Sequence, residues 1–294
     1  AGVSTESGIP DFRSVDGLYN QSYQYPPETI ISHSFYMRYP QEFYRFYKER
    51  MLFPEAKPNG AHKSLAKLES QGRLKAVITQ NIDGLHQMAG SREVLELHGS
   101  VHRNYCTRCG QFYDLDYVLG GQGVPMCSCG GSVKPDVVLY EEGLDQETLQ
   151  RSVEYIRNAD MLIVGGTSLV VYPAAGLVDY YRGDRLVLIN KGEAGRNLRA
   201  NLVIKDAIGK VLAALASPEV GVALAKSSGC APANSKAYED PEVAADELIV
   251  AIQKTAETAQ PMPNIPEMGV LWGPAESFLV AVNKSGEDVA TAAE

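Results

Sequence analysis

Long apolar runs, surplus positive charge and tryptophan are scarce in this chain of 294 residues. No stretch approaches the roughly 18 consecutive apolar residues that a membrane-spanning helix needs, and the chain does not open with a charged and apolar export leader. The formal net charge is −9, so the chain lacks the basic surplus that is typical of nucleic-acid-binding proteins. These absences predict a cytoplasmic protein that binds neither membranes nor nucleic acid.

Arginine and histidine are missing altogether from the last part of the chain. Residues 217–294 contain 12 acidic residues against 4 lysines, a balance of −8, which leaves −1 for residues 1–216. The one tryptophan, Trp272, lies in this acidic part. Such a change in composition predicts two segments of different origin, joined near residues 212–217.

The apolar residues of the first part predict an alternation of strands and helices. Continuous apolar runs predict buried strands at 74–81, 135–140, 160–168, 185–191 and 201–206. Helix-like stretches lie between them, over 58–72 and 144–159. This alternation predicts an α/β fold built on a doubly wound, Rossmann-like parallel sheet.

Two insertions interrupt the alternation, at about 17–58 and 101–134, and both are too long for simple connections. We expect them to form a smaller second domain, in which the aromatic-rich first insertion is helical and the cysteine-bearing second insertion is a zinc ribbon. After residue 217 the alanine-rich, acidic sequence predicts a helical tail.

Four of the five cysteines lie within 24 residues. The pairs Cys106-x-x-Cys109 and Cys127-x-Cys129 can place four thiolates around a tetrahedral Zn²⁺ ion. Four protein ligands leave no position for a water molecule, so the predicted metal is structural. Reduced core cysteines without a metal are the alternative.

Polar side chains follow the predicted strand 74–81 directly, in the stretch TQNIDGLH. Gln80, Asn81 and Asp83 should therefore lie at the carboxyl edge of the sheet, where doubly wound folds bind their ligands. Small residues follow two further strands, at 165–168 and 189–190, and would let a dinucleotide approach the backbone. Taken alone, the first stretch is more simply explained as a polar capping turn, but three such strand ends in one chain favour a ligand site.

Three histidines are candidates for proton transfer, because imidazole titrates near neutral pH. They are His86, His98 and His102, and the last two lie in the stretch LHGSVH. Composition does not choose among them, and a structural hydrogen bond is the more frequent role of a single histidine.

Taken together, these stretches resemble the sirtuins, the NAD-dependent protein lysine deacylases. The resemblance runs through AGVSTESGIPDFRS, TQNIDGLH, LHGS, the four cysteines, KPDVVLYEE, GGTSLVVYPA and LINKG, and it covers about residues 1–214. It implies a catalytic domain over 1–214 that removes acetyl groups from lysine, transfers them to ADP-ribose and releases nicotinamide. It also implies NAD and Zn²⁺ as cofactors and an acyl-lysine protein or peptide as substrate.

The resemblance also implies roles for single residues. His98 matches the family's general base, which takes a proton from the ribose hydroxyls after the acyl oxygen has displaced nicotinamide. Asn81 and Asp83 would orient nicotinamide and the catalytic ribose. The segments VVLY (137–140) and SLVVY (168–172) match the strands that clamp an extended substrate peptide. The NAD-binding positions are Ala1, Gly2, Thr5, Phe12, Arg13, Gln80, Ile82, Asp83, Thr167, Ser168, Asn190 and Ile208, of which Phe12, Ile82 and Asp83 match the nicotinamide pocket.

Two departures from the family pattern bear on activity. Desuccinylases and demalonylases of the family carry a Tyr-x-x-Arg that residues 16–43 lack, so a neutral acyl group such as acetyl is expected. The family's glycine-rich turn is Gly-Ala-Gly, whereas this chain begins at the Ala, so the first strand of the sheet is missing. Because that strand is central in a doubly wound sheet, we expect an unsupported terminus at Ala1 and Gly2 and a chain that is unstable or inactive as written.

The acidic tail resembles a different family, the maltose-binding-protein-type solute receptors, over about 215–294. The stretch PMPNIPEM followed by Trp272 carries this resemblance. Trp272 would contact sugar in a whole receptor, although a packed tail residue is the simpler role here. A carbohydrate-binding module, or an inert chimera with an inactive sirtuin part, is therefore the alternative to a deacetylase.

Overall fold

The computed structural model describes residues 2–12, 17, 23–192, 199–215, 218–228, 232 and 235–258. The chain divides into two units, Ala1–Val220 and Gly221–Glu294, and each is described by itself. The helices of the described residues include none with the length and apolar character of a membrane span.

The first unit contains most of the regular structure. Its strands are β1 (Val77–Thr79), β2 (Val94–Glu96), β3 (Gly99–Cys106), β4 (Phe112–Tyr113), β5 (Val133–Val137), β6 (Leu162–Gly165), β7 (Leu186–Ile189) and β8 (Leu202–Ile204). Its helices are α1 (Pro27–Ile30), α2 (His33–Arg38), α3 (Pro40–Phe46), α4 (Gly60–Ser70), α5 (Leu85–Met88), α6 (Leu115–Gly120), α7 (Gln146–Arg157) and α8 (Ile208–Leu215). Two 3-10 helices, Gly2–Ser7 and Ala174–Tyr180, and a π-helical turn, Tyr47–Met51, complete it.

The parallel strands form two sheets. β1 pairs with β2, and β6, β7 and β8 form a second sheet in that order, with every pairing parallel. α4 packs against α8, and α7 packs against the 3-10 helix Ala174–Tyr180. The predicted α/β fold with parallel strands is therefore confirmed.

The helices of the first insertion bury an aromatic cluster. Phe43, Tyr44 and Tyr47 are fully buried, and their ring centroids lie between 5.2 and 6.3 Å apart. Ser32 caps the amino end of α2, where its hydroxyl accepts the backbone N–H of Phe35 over 3.2 Å. The predicted helical character of this insertion is confirmed over its described residues.

The strand predicted at 135–140 lies in a different sheet from the one expected. β5 pairs antiparallel with β3, in a three-stranded sheet of order β4-β3-β5, so the prediction of a parallel strand here is wrong. Burial alternates along β5, with Val133, Pro135 and Val137 buried and the residues between them half-buried. Such alternation is typical of a strand with one buried face, whereas a parallel strand is buried on both faces.

The second unit is helical where it is described. Its helices α10 (Pro241–Ala245) and α11 (Glu247–Thr258) follow α9 (Pro218–Ser228), in which the division between the units falls. Ala225, Val243 and Ile249 form its buried core. Trp272 and the stretch PMPNIPEM lie outside the described residues.

Candidate active site

The 3-10 helix Gly2–Ser7 lies against the carboxyl end of β6. The backbone N–H of Gly2 donates to the carbonyl of Gly166 over 2.9 Å. Both positions need glycine, since a Cβ on Gly2 would lie 2.6 Å from the Cα of Gly166, and Gly166 has a φ of +62°. Gly2 is therefore held against the sheet, so the expectation of an unsupported terminus is wrong at this residue. The expectation of an unstable or inactive chain loses that support.

Ser4, in the same helix, is fully buried at the centre of a polar cluster. Its hydroxyl donates to the carboxylate of Asp83 over 2.6 Å and accepts from the side-chain amide of Asn81 over 2.8 Å. The Asn81 amide also donates to the Asp83 carboxylate, over 3.1 Å. β1 ends just before Asn81, so this strand delivers two of the predicted site residues to the carboxyl edge.

His62, on α4, contacts the cluster through Nε2, which lies 3.4 Å from the Ser4 hydroxyl oxygen. Its Nδ1 accepts the backbone N–H of Asn59 in the capping box of the helix. Because Nδ1 accepts, the ring proton lies on Nε2 and is donated to Ser4. Burial lowers the pKa of His62, although the charge of Asp83 opposes this shift, so the neutral form is favoured.

Ser4 and His62 are not among the residues that the sequence predicts for the site. Their contact joins residues 58 positions apart, which no local pattern shows. One signal was available: Asn59-x-x-His62 at the start of a predicted helix has the spacing of a capping box. That signal places the His62 ring near the amino end of α4, but it does not identify Ser4 as its partner.

Gln80 connects the ends of β1 and β6 and also holds His98. Its side-chain amide donates to the Thr167 hydroxyl over 3.3 Å, and its carbonyl accepts the Nδ1–H of His98 over 3.0 Å. Burial lowers the pKa of His98, although the hydrogen bond to Gln80 partly opposes this shift. A neutral ring with its proton on Nδ1 leaves Nε2 able to accept a proton.

The other two candidate histidines have different surroundings. His86 is 3% exposed, and its Nδ1 has no hydrogen-bond partner in the described structure. Burial and the neighbouring His62 ring, 4.8 Å away, lower the pKa of His86 to about 4. His102 is exposed, and its Nε2 lies 3.1 Å from the carbonyl oxygen of Asp83. Of the three, His98 combines partial burial, a fixed ring and an unprotonated nitrogen.

Most of the remaining predicted NAD-binding residues lie along the same edge. The Thr5 hydroxyl donates to the Gly2 carbonyl over 3.0 Å, and Ile82 packs against the aromatic core of the helical insertion. Ile208 begins α8 directly against the end of β6, because a Cβ on Gly165 would lie 2.1 Å from its Cδ1.

Asn190 follows β7, where its amide donates to the carbonyl of Gly192 over 3.1 Å. Phe12 and Ser168 are half-buried. Ala1 and Arg13 lie outside the described residues.

The four cysteines come together beside β3. Their sulfur atoms all lie within 4.8 Å of one another, with 3.4 Å between Cys106 and Cys129 and 3.6 Å between Cys109 and Cys127. Four sulfurs bound to zinc at about 2.3 Å stand about 3.8 Å apart, so this cluster fits a tetrahedral Zn²⁺ ion. The backbone N–H groups of Cys109 and Arg108 donate to the Cys106 sulfur and lower the pKa of that thiol.

Comparisons with known proteins agree with this geometry. The profile of the Sir2 family matches residues 1–173. An NAD-dependent protein deacetylase of Clostridium acetobutylicum is 61% identical over 216 residues, which cover 72% of this chain and 88% of that protein. A solved structure of Sir2 with a p53 peptide and NAD+ is 42% identical, with a TM-score of 0.65 and coverage of 73% of this chain and 88% of the other. A Sir2 structure bound to a propionylated peptide is 41% identical, with a TM-score of 0.64 and the same coverage.

The family match spans most of the residues that form the site. The range 1–173 contains the Ser4 cluster, His98 and the four cysteines. The similarity to the clostridial protein extends over most of that protein's length. The chain therefore belongs to the Sir2 family of NAD-dependent protein deacetylases.

Proposed function

We propose that this NAD-dependent protein deacetylase uses His98 as its general base. The observation that carries the proposal is the hydrogen bond from Nδ1 of His98 to the Gln80 carbonyl, because it leaves Nε2 unprotonated. Gln80 is also a proposed NAD-binding residue, so this hydrogen bond places the base beside the proposed NAD site. The lowered pKa of His98 keeps the ring neutral near pH 7, as a base requires.

Ser4, Asn81 and Asp83 act as one positioning unit for NAD. The Asp83 carboxylate accepts from Ser4 and Asn81 on one oxygen and from the backbone N–H of Leu85 on the other, over 3.0 Å. A carboxylate held in this way can orient a ribose hydroxyl or a carboxamide with little ordering cost of its own. When bound, NAD supplies the ribose carbon that accepts the acyl oxygen, and this chain supplies orientation and a proton acceptor.

The four cysteines would hold a structural Zn²⁺ ion. All four coordination positions come from protein sulfur, so the metal has no open position for chemistry. Its role is to fix the sheet that starts beside the base, since β3 begins at Gly99, directly after His98.

The substrate is an acyl-lysine peptide with a neutral acyl group, and we propose that the segments 137–140 and 168–172 hold this peptide in an extended form. Residues 16–43 lack Tyr-x-x-Arg, but the same spacing occurs later in the chain, at Tyr47 and Arg50. Tyr47 is fully buried, and its hydroxyl has no partner in the described structure. Arg50 is exposed, with its guanidinium 5.9 Å from the centre of the Tyr23 ring. The two side chains therefore do not share one acid-binding site, which supports acetyl or another neutral acyl group.

Two further features belong to this proposal. We place the protein in the cytoplasm, which its clustered cysteines support, because metal-binding thiols persist in reducing compartments. We also propose that residues 215–294 derive from a maltose-binding-type receptor, on the strength of PMPNIPEM and Trp272. Deacetylation is assigned to residues 1–214.

The roles of the histidines can be tested with single variants. We expect His98→Ala to lower deacetylation of an acetyl-lysine peptide by about 10²–10⁴-fold, the usual effect of losing a general base, while NAD still binds. His102→Ala is the matched control and should keep most of the activity, because the His102 ring is exposed and its hydrogen bond goes to a backbone carbonyl, that of Asp83. Mass spectrometry of the peptide and of O-acetyl-ADP-ribose measures turnover, and calorimetry measures NAD binding. An active His98→Ala variant would overturn the assignment.

A further inference from the structure

Two residues other than glycine have a left-handed backbone in the described structure. They are Glu141, with a φ of 76°, and Leu169, with a φ of 52°. Residues other than glycine are disfavoured in this backbone conformation. They persist where contacts with neighbouring residues stabilise them, often at functional sites. Glu141 directly follows the segment 137–140 and Leu169 lies within 168–172, the two segments that the proposed function assigns to the substrate peptide.

The carboxylate of Glu141 holds Ser34 at the start of α2. It accepts the backbone N–H of Ser34 over 2.8 Å and the Ser34 hydroxyl over 2.9 Å. Two backbone hydrogen bonds run beside this contact: Tyr140 N–H donates to the Ile31 carbonyl over 3.1 Å, and His33 N–H donates to the Tyr140 carbonyl over 2.9 Å. Residues 140–141 are therefore joined to the helical insertion at several atoms.

The next residue, Glu142, closes the turn that follows the segment. Its carboxylate accepts from the Leu139 backbone N–H over 2.9 Å, from His33 Nδ1 over 2.8 Å and from Lys134 Nζ over 3.1 Å. These bonds support the same contact with α2, because His33 and Ser34 are adjacent in the chain.

The opposite end of the segment is joined to the proposed base. The backbone N–H of Val138 donates to the carbonyl of His98 over 3.0 Å. Segment 137–140 is thus held between the backbone of His98 and the first turn of α2. A movement of α2 would be transmitted to the segment through Ser34 and Glu141.

We propose that Glu141 and Ser34 form a latch that positions segment 137–140 beside His98 to receive an extended substrate peptide. The inference rests on the proposed function, which assigns this segment to the peptide. Glycine would adopt the left-handed backbone at position 141 with less strain. The carboxylate is the feature that glycine would lack, and its contact with Ser34 accounts for the presence of Glu141. Both are positioning residues, since neither is assigned a contact with the reacting atoms.

The left-handed backbone strain at Glu141 allows an experiment to distinguish a positioning role of this residue from a structural role. Glu141→Gly relieves the left-handed strain while it removes the latch, so the melting temperature should not fall, yet peptide binding should weaken. Ser34→Ala loses the hydroxyl contact, and Ser34→Thr keeps it and should restore binding. Ser70→Ala is the control, because Ser70 is also exposed and its hydroxyl donates within α4, to the Lys67 carbonyl.

The experiment compares two substrates, a peptide with several residues on each side of acetyl-lysine and acetyl-lysine with blocked ends. We expect Glu141→Gly and Ser34→Ala to raise KM for the peptide by about fivefold, a modest effect suited to an exposed charge-assisted contact, with kcat, KM for NAD and turnover of blocked acetyl-lysine unchanged. Hydrogen exchange at Leu139 and Tyr140 should become faster in both variants.

Unchanged peptide KM in Glu141→Gly, or an equal loss with both substrates, overturns the latch. A wild-type protein that fails to deacetylate the peptide contradicts the proposed function instead. In that case peptide affinity by calorimetry and the exchange rates still decide the latch: weaker binding and faster exchange in both variants support it, and unchanged values overturn it.

Discussion

At the scale of the residue, each hydrogen bond around Ser4 has an assignable direction. A serine hydroxyl has one proton and two lone pairs. The proton goes to Asp83, and the lone pairs receive the N–H groups of Asn81 and His62. Ser4 is fully buried, so the loss of its hydroxyl would leave these partners without a replacement from bulk water. The orientation of the proposed NAD-binding carboxylate therefore depends on a side chain that need not touch NAD.

We expect Ser4→Ala to lower the free energy of unfolding by about 1–3 kcal/mol, the usual penalty for an unsatisfied buried polar group, and to weaken NAD binding. Ser91→Ala is the matched control, because Ser91 is also buried but its hydroxyl has no partner in the described structure. Urea denaturation measures both variants. Equal losses of stability in Ser4→Ala and Ser91→Ala would contradict this account.

The protonation of His98 predicts the acid limb of the pH profile. A general base must be unprotonated, and burial holds the pKa of His98 below its usual value of 6.5. The rate of deacetylation should therefore not vary with the protonation of His98 near pH 7. It should fall as the pH drops through this lowered pKa. The measurement is kcat/KM for the peptide against pH. An acid limb centred above the ordinary histidine pKa would show that another group acts as the base.

His86 predicts a pH dependence of stability. Its pKa is about 4 in the folded chain and near 6.5 when unfolded, so between these values the unfolded chain binds a proton that the folded chain does not. The unfolding free energy should therefore fall as the pH drops from about 6.5 to about 4, by roughly 3 kcal/mol from this residue. Denaturation of the wild type and of His86→Leu at both ends of this window is the check. The variant should lose about this amount of the dependence, because burial also lowers the pKa of His62 and His98 and these two residues contribute the remainder. An unchanged slope would exclude His86 as a contributor.

At the scale of the element, the apolar pattern predicted some parts of the fold and missed others. β6, β7 and β8 lie within the runs at 160–168, 185–191 and 201–206, because the strands of a parallel sheet tend to be continuously apolar. β8 keeps this pattern although Leu202 and Val203 are exposed.

The apolar pattern does not predict β2, because Glu93 and Glu96 leave only two consecutive apolar residues, Val94 and Leu95. β5 was placed in the wrong sheet, since its alternating burial depends on what it packs against.

The residues of the site likewise include some that local sequence patterns predict and others that depend on contacts between distant parts of the chain. The positions of Gln80, Asn81 and Asp83 could be predicted because these residues follow a recognisable strand. Doubly wound folds bind their ligands at the carboxyl edge of the sheet, where such residues lie. The cysteine cluster could be predicted from spacing alone. The His62 contact and the latch could not, because they join residues 58 and 107 positions apart.

The cysteine sheet should depend on its metal. We expect chelation of zinc to unfold β3 and β4 near the cluster and to abolish activity, because metal binding supplies folding free energy in small sulfur sites. A Cys106→Ala/Cys127→Ala double variant should bind no zinc, whereas Cys230→Ala, which alters the cysteine outside the motif, should keep one ion per chain. Elemental analysis measures the metal. Full zinc content in the double variant would refute the four-cysteine site.

At the scale of the whole molecule, the acidic tail and the catalytic part are expected to function independently. The described residues of the proposed site all precede residue 209, and the tail differs from them in charge and composition.

We therefore expect a chain cut after residue 216 to deacetylate peptide at the rate of the intact chain, and residues 217–294 alone to bind no maltodextrin. Steady-state kinetics and calorimetry measure the two outcomes. Loss of activity in the shortened chain, or micromolar maltodextrin binding by the tail, would contradict this division.

As an NAD-dependent deacetylase, this chain couples NAD cleavage to deacetylation of lysine. The decisive experiment measures nicotinamide release from NAD with and without an acetyl-lysine peptide. We predict that release depends on the peptide, equals the amount of lysine deacetylated and is lost in His98→Ala. Release that is the same without peptide, or deacetylation without nicotinamide, would contradict the account.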